Sequence, residues 1–322
     1  MTNSLKNIAF IFPGQGSQSV GMGKTLAETY PEARQAFEEA NDVLGYDLEA
    51  LCFAGPVEKL NMTEFTQPAL VATSVAAMRV LDKEFGLGKD APSFVAGHSL
   101  GEYSALVSAG TMKYADALRI VSLRGKYMQE ACGEGEGAMS AIIGLENDII
   151  KEICTQASVG EEVVVPANLN SPGQLVISGS AKAVERANKA AKEAGAKRAI
   201  LLPVSVPSHS PLMKPAAEKL AEELQKITLK KPIVPLVSNV LAEPTEDVSL
   251  ISDLLKRQLT SPVRWSEIIQ CLKRNGVTVT LEIGSGKILA GLVKRIDRDI
   301  HTCSFGAPEN ITCVEKTINE LT

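Results

Sequence analysis

The run Gly97-His98-Ser99-Leu100-Gly101 places a serine hydroxyl at the centre of a G-x-S-x-G pattern. Ser93-Phe94-Val95-Ala96 before it reads as a short buried strand, and Glu102-Tyr103-Ser104-Ala105-Leu106-Val107 after it as the opening of a helix. On a strand-to-helix turn the two glycines permit a sharp bend and keep side chains clear of Ser99. Its hydroxyl is then presented at the tip of the turn, beside a helix N-terminus. The chemistry such a turn serves is acyl chemistry through a covalent serine ester. An ordinary glycine turn can carry the same five letters, so the flanking strand and helix bear the weight of the reading.

A serine hydroxyl needs a base, and the chain has three histidines. His98 adjoins Ser99, and at such a turn neighbouring side chains point away from the tip. His301 falls in what reads as a surface turn before a last strand. His209 lies in Val206-Pro207-Ser208-His209-Ser210-Pro211, a loop between a strand and a helix. Catalytic groups concentrate on loops held by a rigid scaffold. Position therefore selects His209 as base, against the alternative of a structural loop histidine. The acid that should orient it is missing. Asp116 and Asp148 lie between serine and histidine in chain order, as a hydrolase triad requires, but both read as helix-surface residues. A backbone or side-chain carbonyl would have to accept the second imidazole N–H.

Pro13-Gly14-Gln15-Gly16-Ser17-Gln18 is a second glycine-rich turn at a strand end. Its backbone N–H groups could face the serine as half of an oxyanion hole, with the N–H of Leu100 as the other half, or it is a simple tight turn. Arg124 interrupts an amphipathic helix, where it is either a surface charge or a bidentate grip on a carboxylate. Gly284-Ser285-Gly286-Lys287 fails as a phosphate loop, because Ile288 replaces the required hydroxyl residue and the glycine spacing is wrong. It reads as a turn.

The elements that must position these residues alternate. Ile8-Ala9-Phe10-Ile11-Phe12 is an unbroken apolar run, as in a strand buried on both faces. Helical patterns follow at 23–40 and 68–86, then the elbow strand and its helix, then an amphipathic helix over 114–131. This alternation predicts a mainly parallel sheet with helices on both faces. At Gly133-Glu134-Gly135-Glu136-Gly137 the texture changes. Strand 138–145, helix 147–156, strand 162–168, a turn at 170–173, strand 174–178, helix 181–194 and strand 197–203 make β-α-β-β-α-β, the ferredoxin-like order. The organisation predicted is a large α/β domain from 1–132 and 205–322, with a small subdomain at 133–204 inserted in it. Helix 211–224, strand 233–239, helix 249–259 and strand 277–283 complete the large domain.

The 322 residues suffice for a sizeable core, with 45% hydrophobic and 22% charged residues. A net charge of −5 and 4% aromatics argue against nucleic-acid and anionic-membrane binding. Six scattered cysteines without a C-x-x-C pair read as free thiols in a reducing cytoplasm. The N-terminus shows no signal peptide, no apolar run approaches a membrane span, and the histidines have no metal-like spacing.

With these residues in view, the chain resembles the malonyl-CoA:acyl carrier protein transacylases of dissociated bacterial fatty-acid synthesis. The motifs that carry the resemblance run in order over nearly the whole length. They are Phe12-Pro13-Gly14-Gln15-Gly16-Ser17-Gln18, Thr66-Gln67-Pro68-Ala69-Leu70, Gly97 through Glu102, Leu123-Arg124-Gly125, Asn170-Ser171-Pro172-Gly173-Gln174, Pro207-Ser208-His209, Gln258 through Trp265, and Glu282 through Leu289. The resemblance implies a hydrolase-like core with a ferredoxin-like insert. It also implies roles: Ser99 as the nucleophile that carries malonyl, His209 as general acid–base, and Arg124 as clamp on the free malonyl carboxylate. Backbone N–H groups of Gln15 and Leu100 would form the oxyanion hole, and Gln258 would offer the carbonyl that orients His209. Malonyl-CoA and the phosphopantetheine thiol of an acidic acyl carrier protein are the implied substrates, with ping-pong kinetics and no cofactor; a monomer is expected. For the carrier protein two basic patches are candidates, Lys182, Arg186, Lys189 and Lys192 on the insert helix, or Lys294, Arg295 and Arg298. A serine hydrolase or thioesterase, and a scaffold that only binds carrier protein, are the competing readings. Arg124 and the Gln15 loop weigh against the first, and intact Ser99, His209 and Arg124 against the second.

Overall fold

The computed structural model describes residues 7–89, 91–133, 135–204 and 206–321. Glu134, in the predicted glycine-acid hinge, and Ser205, at the predicted return to the large domain, lie outside the described residues, as do residues 1–6 and Thr322.

The first half of the chain lays down β1 (Ile8–Phe12), α1 (Lys24–Thr29), α2 (Pro31–Leu44), α3 (Leu48–Ala54), α4 (Val57–Leu60), α5 (Thr63–Phe85), β2 (Phe94–Gly97), α6 (Gly101–Ser108) and α7 (Tyr114–Glu130). There follow β3 (Gly137–Ile143), α8 (Asn147–Ala157), β4 (Val164–Ser171), β5 (Gln174–Ser180), α9 (Ala181–Glu193) and β6 (Arg198–Leu201). The last third adds α10 (Lys214–Leu224), β7 (Leu236–Val237), β8 (Pro244–Thr245), α11 (Val248–Gln258), α12 (Trp265–Arg274), β9 (Val279–Ile283), α13 (Ile288–Ile296), β10 (His301–Phe305) and α14 (Ile311–Leu321).

A six-stranded sheet has the order β10-β9-β1-β2-β7-β8, parallel except for β8. The apolar run of β1 lies at its centre and is buried at every position. Ile8, Phe10 and Phe12 pack on one face with α2, α5 and α7, while Ala9 and Ile11 pack on the other with Trp265, Ile268 and Leu292. Both faces are thus covered, as a parallel sheet requires. A four-stranded antiparallel sheet, order β4-β5-β3-β6, spans residues 137–201. Helices α8 and α9 cover one of its faces through Ile150, Ile153, Val184 and Ala187. Its other face is left for the rest of the molecule, and Asn168 pairs with Val263 to join the two units.

Several expectations are corrected. The helix read at 23–40 breaks at Tyr30, because Pro31 favours a fresh helix start and an extended residue before it. The helix read from 68 begins at Thr63 and carries Pro68 inside; burial of the surrounding turns outweighs one missing N–H bond. The strand read at 233–239 shortens to Leu236–Val237, since Pro232 and Pro235 remove donors before it. Helices α3, α4, α12, α13 and α14 form where the sequence pattern predicts none. The strand β4 runs through Ser171, so the turn read at 170–173 is only its tip. His301 opens β10 rather than a turn. Cys303 on β10 and Cys313 on α14 are joined as a disulfide, with Cα atoms 6.2 Å apart, so the expectation of six free thiols holds only for Cys52, Cys132, Cys154 and Cys271. Packing of α14 on β10 brings that pair within bridging distance.

Candidate active site

Ser99 follows the C-terminal end of β2, between that strand and α6, and its backbone is left-handed at φ 50°. The glycines explain how this turn is possible. A Cβ on Gly97 would collide with the backbone of Gly101 and Glu102, and one on Gly101 with the carbonyl of Phe12. The turn is pinned from outside by Asn239, whose Oδ1 accepts from the Ser99 N–H at 2.7 Å and whose Nδ2 donates to the Gly97 carbonyl at 2.6 Å. A non-glycine residue held at positive φ is strained, and such strain persists only where the surroundings over-determine it.

The Ser99 hydroxyl is 2.8 Å from His209 Nε2. His209 Nδ1 lies 2.8 Å from the carbonyl oxygen of Gln258 and 3.2 Å from that of Ser261. Both partners are acceptors, so Nδ1 carries the ring proton and Nε2 keeps its lone pair toward Ser99. The orienting function that a triad gives to a carboxylate is therefore performed by two main-chain carbonyls at the end of α11. Burial, with the Arg124 charge beside it, brings the His209 pKa down to about 3. The imidazole is neutral at physiological pH and free to accept a proton.

His98 points elsewhere: its Nε2 is 2.8 Å from Asn170 Oδ1 on β4, and its ring lies 5.5 Å from that of Trp265. Asp116 is ion-paired with Arg119, and Asp148 is almost fully exposed, so neither reaches His209.

Arg124 is 1% exposed. Its Nη1 donates to Gln67 Oε1 at 2.8 Å, and its Nη2 to Gln258 Oε1 at 3.0 Å and to Ser99 Oγ at 3.3 Å. No carboxylate among the described residues forms an ion pair with it, and its Nε lacks a partner. A guanidinium held in a buried site by neutral amides, with its fork beside a serine hydroxyl, is arranged to receive an anion that arrives with a ligand.

Behind it stands Glu102, buried and unread as a site residue. Its Oε2 accepts from Gln258 Nε2 and its Oε1 from the Asn239 N–H at 3.4 Å. Gln258 Nε2 also donates to the Ser99 carbonyl at 3.0 Å. Because Glu102 takes the amide N–H, the amide oxygen of Gln258 is forced toward Arg124. Burial pushes the Glu102 pKa up to about 7, against the lowering effect of Gln258. Glu102 is legible in the sequence as a helix first-turn acid but not as a buried one; Gln67 stands in the Thr66–Leu70 motif with no role attached to it, and Asn239 gives no sign beyond its polarity.

Ser99, Arg124 and His209 border a cavity of about 460 Å³ between the two sheets. Gln15 and Leu100 line it beside Ser99, with Met139, Asn168 and Val176 of the smaller sheet opposite. The Gln15 side chain is drawn aside to Thr63 Oγ1 at 3.3 Å. Among the described residues no hydrogen bond outside the regular elements uses the backbone N–H of Gln15 or Leu100. The turn at Ser285 braces this loop, donating from its hydroxyl to the Ser17 carbonyl at 2.7 Å. Sequence reasoning selected Ser99, His209, Arg124, Gln258, Gln15 and Leu100, and the fold brings all of them to this one place.

The pH response follows from the two shifted groups. A base whose pKa lies near 3 stays deprotonated as pH falls, so kcat/KM should show no limb at the ordinary imidazole value of about 6.5. A limb near 7 belongs to Glu102 and should vanish in Glu102→Gln. One that persists in that variant would contradict the assignment.

The family described as acyl transferase domain matches residues 9–304. Over 304 residues the chain is 54% identical to the malonyl CoA-acyl carrier protein transacylase of Escherichia coli (strain K12), covering 94% of this chain and 97% of that one. It is 48% identical over 316 residues to the enzyme of the same name from Bacillus subtilis (strain 168), covering 98% of each. Among solved structures, an acyl carrier protein S-malonyltransferase from Vibrio cholerae superposes with a TM-score of 0.92 at 51% identity, over 96% of this chain and 99% of that one. A malonyl-transacylase in complex with its type II PKS acyl-carrier protein superposes with a TM-score of 0.93 at 51% identity, over 96% and 99%.

Proposed function

We infer the reaction from the premise that this chain belongs to the acyl transferase domain family and, within it, to the malonyl-CoA:acyl carrier protein transacylases. The chain moves malonyl from CoA to the phosphopantetheine thiol of acyl carrier protein, in fatty acid biosynthesis, through an ester on Ser99. The observation that carries the reading is the position of the Ser99 hydroxyl, 2.8 Å from a neutral His209 and 3.3 Å from a buried, unmatched Arg124.

In the first half-reaction the Arg124 guanidinium holds the free malonyl carboxylate, which places the thioester carbonyl at Ser99. Ser99 Oγ attacks as His209 Nε2 takes its proton, and the oxyanion is received by the N–H groups of Gln15 and Leu100. As the tetrahedral intermediate collapses, the C–S bond breaks and His209 returns the proton to the departing thiolate. In the second half-reaction the carrier-protein thiol gives its proton to His209 and attacks the ester carbonyl; as the tetrahedral intermediate collapses the C–O bond to Ser99 breaks and His209 Nε2 returns the proton to Ser99 Oγ. The two carbonyls of Gln258 and Ser261 stabilise the imidazolium that forms in each half. Gln258 orients His209 through its main chain and Arg124 through its side chain. One residue thus ties the base to the carboxylate clamp.

Within this reading the six-stranded unit, residues 1–132 and 205–322, is a hydrolase-like core, and residues 133–204 are a ferredoxin-like subdomain that walls the acyl site. The chain works as a cytoplasmic monomer without a resident cofactor, because the thioester substrate brings its own activation. Among the described residues no helix is long and apolar enough to cross a membrane, and no cluster of three metal-ligating side chains occurs.

Carrier-protein docking is assigned to α13. On the insert helix Lys182 and Arg186 are both engaged by Glu162, at 3.4 and 2.6 Å, which leaves half of that patch neutralised. Ile288, Leu289 and Leu292 of α13 line the cavity, and Arg295, next to Lys294 on the same helix, donates to the side chain of Gln174, another lining residue, at 2.5 Å. Reversing their charge (Lys294→Glu with Arg295→Glu) should raise KM for carrier protein roughly tenfold while that for malonyl-CoA stays constant. Equal change in both would remove the patch from docking. The reaction itself is tested by mixing the enzyme with malonyl-CoA alone. About one equivalent of CoA should appear in a burst and malonyl should be found on Ser99; steady release of free malonate would indicate a hydrolase.

A further inference from the structure

Arg124 and Glu102 are both buried in one hydrogen-bonded network, yet they do not pair with each other. The side-chain amide of Gln258 stands between them, accepting from Arg124 through Oε1 and donating to Glu102 through Nε2. Burial lowers the pKa of the guanidinium and raises that of the carboxyl, and each charge acts against the other's shift. Opposite charges taken out of water are drawn together, because a buried ion pair costs less than two separated buried ions. A rotatable amide is a weak spacer against that attraction. A second group on Arg124 is needed to hold the guanidinium beside Ser99.

Tyr103 is placed to be that group. It follows Glu102 on α6 and is fully buried. The Arg124 Cζ lies over its ring, 5.7 Å from the centroid, within the range of a cation–π contact. The Tyr103 hydroxyl is near enough to feel the Arg124 charge but makes no hydrogen bond of normal geometry, so the contact is one of ring and cation. In a desolvated site such a contact is at its strongest. Consecutive helix positions diverge by about 100°, so the ring and the Glu102 carboxylate leave α6 in different directions. Tyr103 also lies four residues after Ser99 on the same strand-to-helix segment. The nucleophile and the seat of the guanidinium therefore belong to one rigid piece of backbone, consistent with the 3.3 Å between Arg124 Nη2 and Ser99 Oγ.

We propose that Tyr103 is a positioning residue for the carboxylate clamp: its ring holds the Arg124 guanidinium beside Ser99 and off Glu102, so that the cation stays unneutralised until the acyl carboxylate arrives. The proposal rests on the reading of Arg124 as that clamp. The ring attracts the guanidinium only in the position beside Ser99. It thus favours the substrate-competent arrangement over an internal ion pair that malonyl would first have to break. The test compares kcat/KM for malonyl-CoA and acetyl-CoA in the wild type, in Tyr103→Phe and in Tyr103→3,4,5-trifluorophenylalanine, which keeps the shape of the ring and weakens its negative face. Tyr103→Phe should stay within about twofold of the wild type with malonyl-CoA. The trifluoro variant should lose about tenfold, through KM, while acetyl-CoA is used as before. Its pH limb assigned to Glu102 should also move below 7, because the carboxylate gains Arg124 as a partner. Equal malonyl kinetics in the two ring variants, an equal loss with acetyl-CoA, or an unmoved limb would overturn the proposal. Arg124→Ala, measured alongside, separates the two readings. An unchanged malonyl-to-acetyl ratio there would remove the clamp itself, whereas a ratio that collapses in Arg124→Ala and holds in the trifluoro variant would remove only Tyr103.

Discussion

Replacing Ser99 by alanine is expected to end both halves of the reaction. With malonyl-CoA alone the variant should release no burst of CoA and acquire no malonyl group, and transfer to carrier protein should fall by about 10⁴-fold or more, as for other covalent nucleophiles removed from a preorganised site. The loss should be of the chemical step only. The hydroxyl packs no core, and the turn is fixed by Asn239, Gly97 and Gly101, whose contacts involve the backbone around Ser99. The variant should therefore fold and still bind malonyl-CoA through Arg124. Substantial residual transfer would mean that carrier-protein thiol attacks malonyl-CoA directly, and the ester would leave the mechanism. His209→Ala is distinguishable from it: the nucleophile remains, so slow acylation should persist.

Replacing Arg124 by alanine should instead change which acyl group is taken. In the wild type an acetyl group leaves the buried guanidinium facing no anion, whereas malonyl supplies one. Removing one partner of a buried charge pair costs about 2–5 kcal/mol, roughly 30- to several-thousand-fold in kcat/KM for malonyl-CoA. Acetyl-CoA makes no such pair, so its kcat/KM should change little and the malonyl-to-acetyl ratio should collapse. Arg124→Lys should restore charge but not the fork that bridges Gln67, Gln258 and the substrate, and so recover only part of the loss. A ratio unchanged in Arg124→Ala would take this residue out of substrate recognition. Glu102→Gln gives the intermediate case: the site keeps its charge at Arg124 but loses the group that fixes which way the Gln258 amide faces.

The elbow was legible because its requirements are local. Only glycine tolerates the approach of the strand to the helix at positions 97 and 101, so the pattern in sequence reflects a steric fact within a few residues. The periods of β1, α7 and the residues 137–201 were legible for the same reason. Where the reading slipped, competition from tertiary packing decided: Pro68 is buried inside a helix, and Trp265–Arg274 forms a helix against the rear of the sheet.

Arg124 marks the boundary between the two kinds of information. On its helix it is a charge at one position of an amphipathic pattern, and pattern alone favours solvent for it. What buries it is the arrival of Gln67 from α5 and Gln258 from α11, 57 and 134 residues away in the chain. The same holds for His209, whose Nδ1 is held by carbonyls 49 and 52 residues further on. The sequence by itself determined the serine elbow proposed to carry the nucleophile, the chain of motifs and the alternation that builds a parallel sheet, because these depend on backbone sterics and short-range periodicity. Only the tertiary structure decided that the imidazole is neutral and held by main-chain carbonyls rather than an acid, and that a buried Glu102 orients the amide behind Arg124. Protonation and hydrogen-bond direction depend on burial and on partners distant in sequence, and those exist only once the chain has folded.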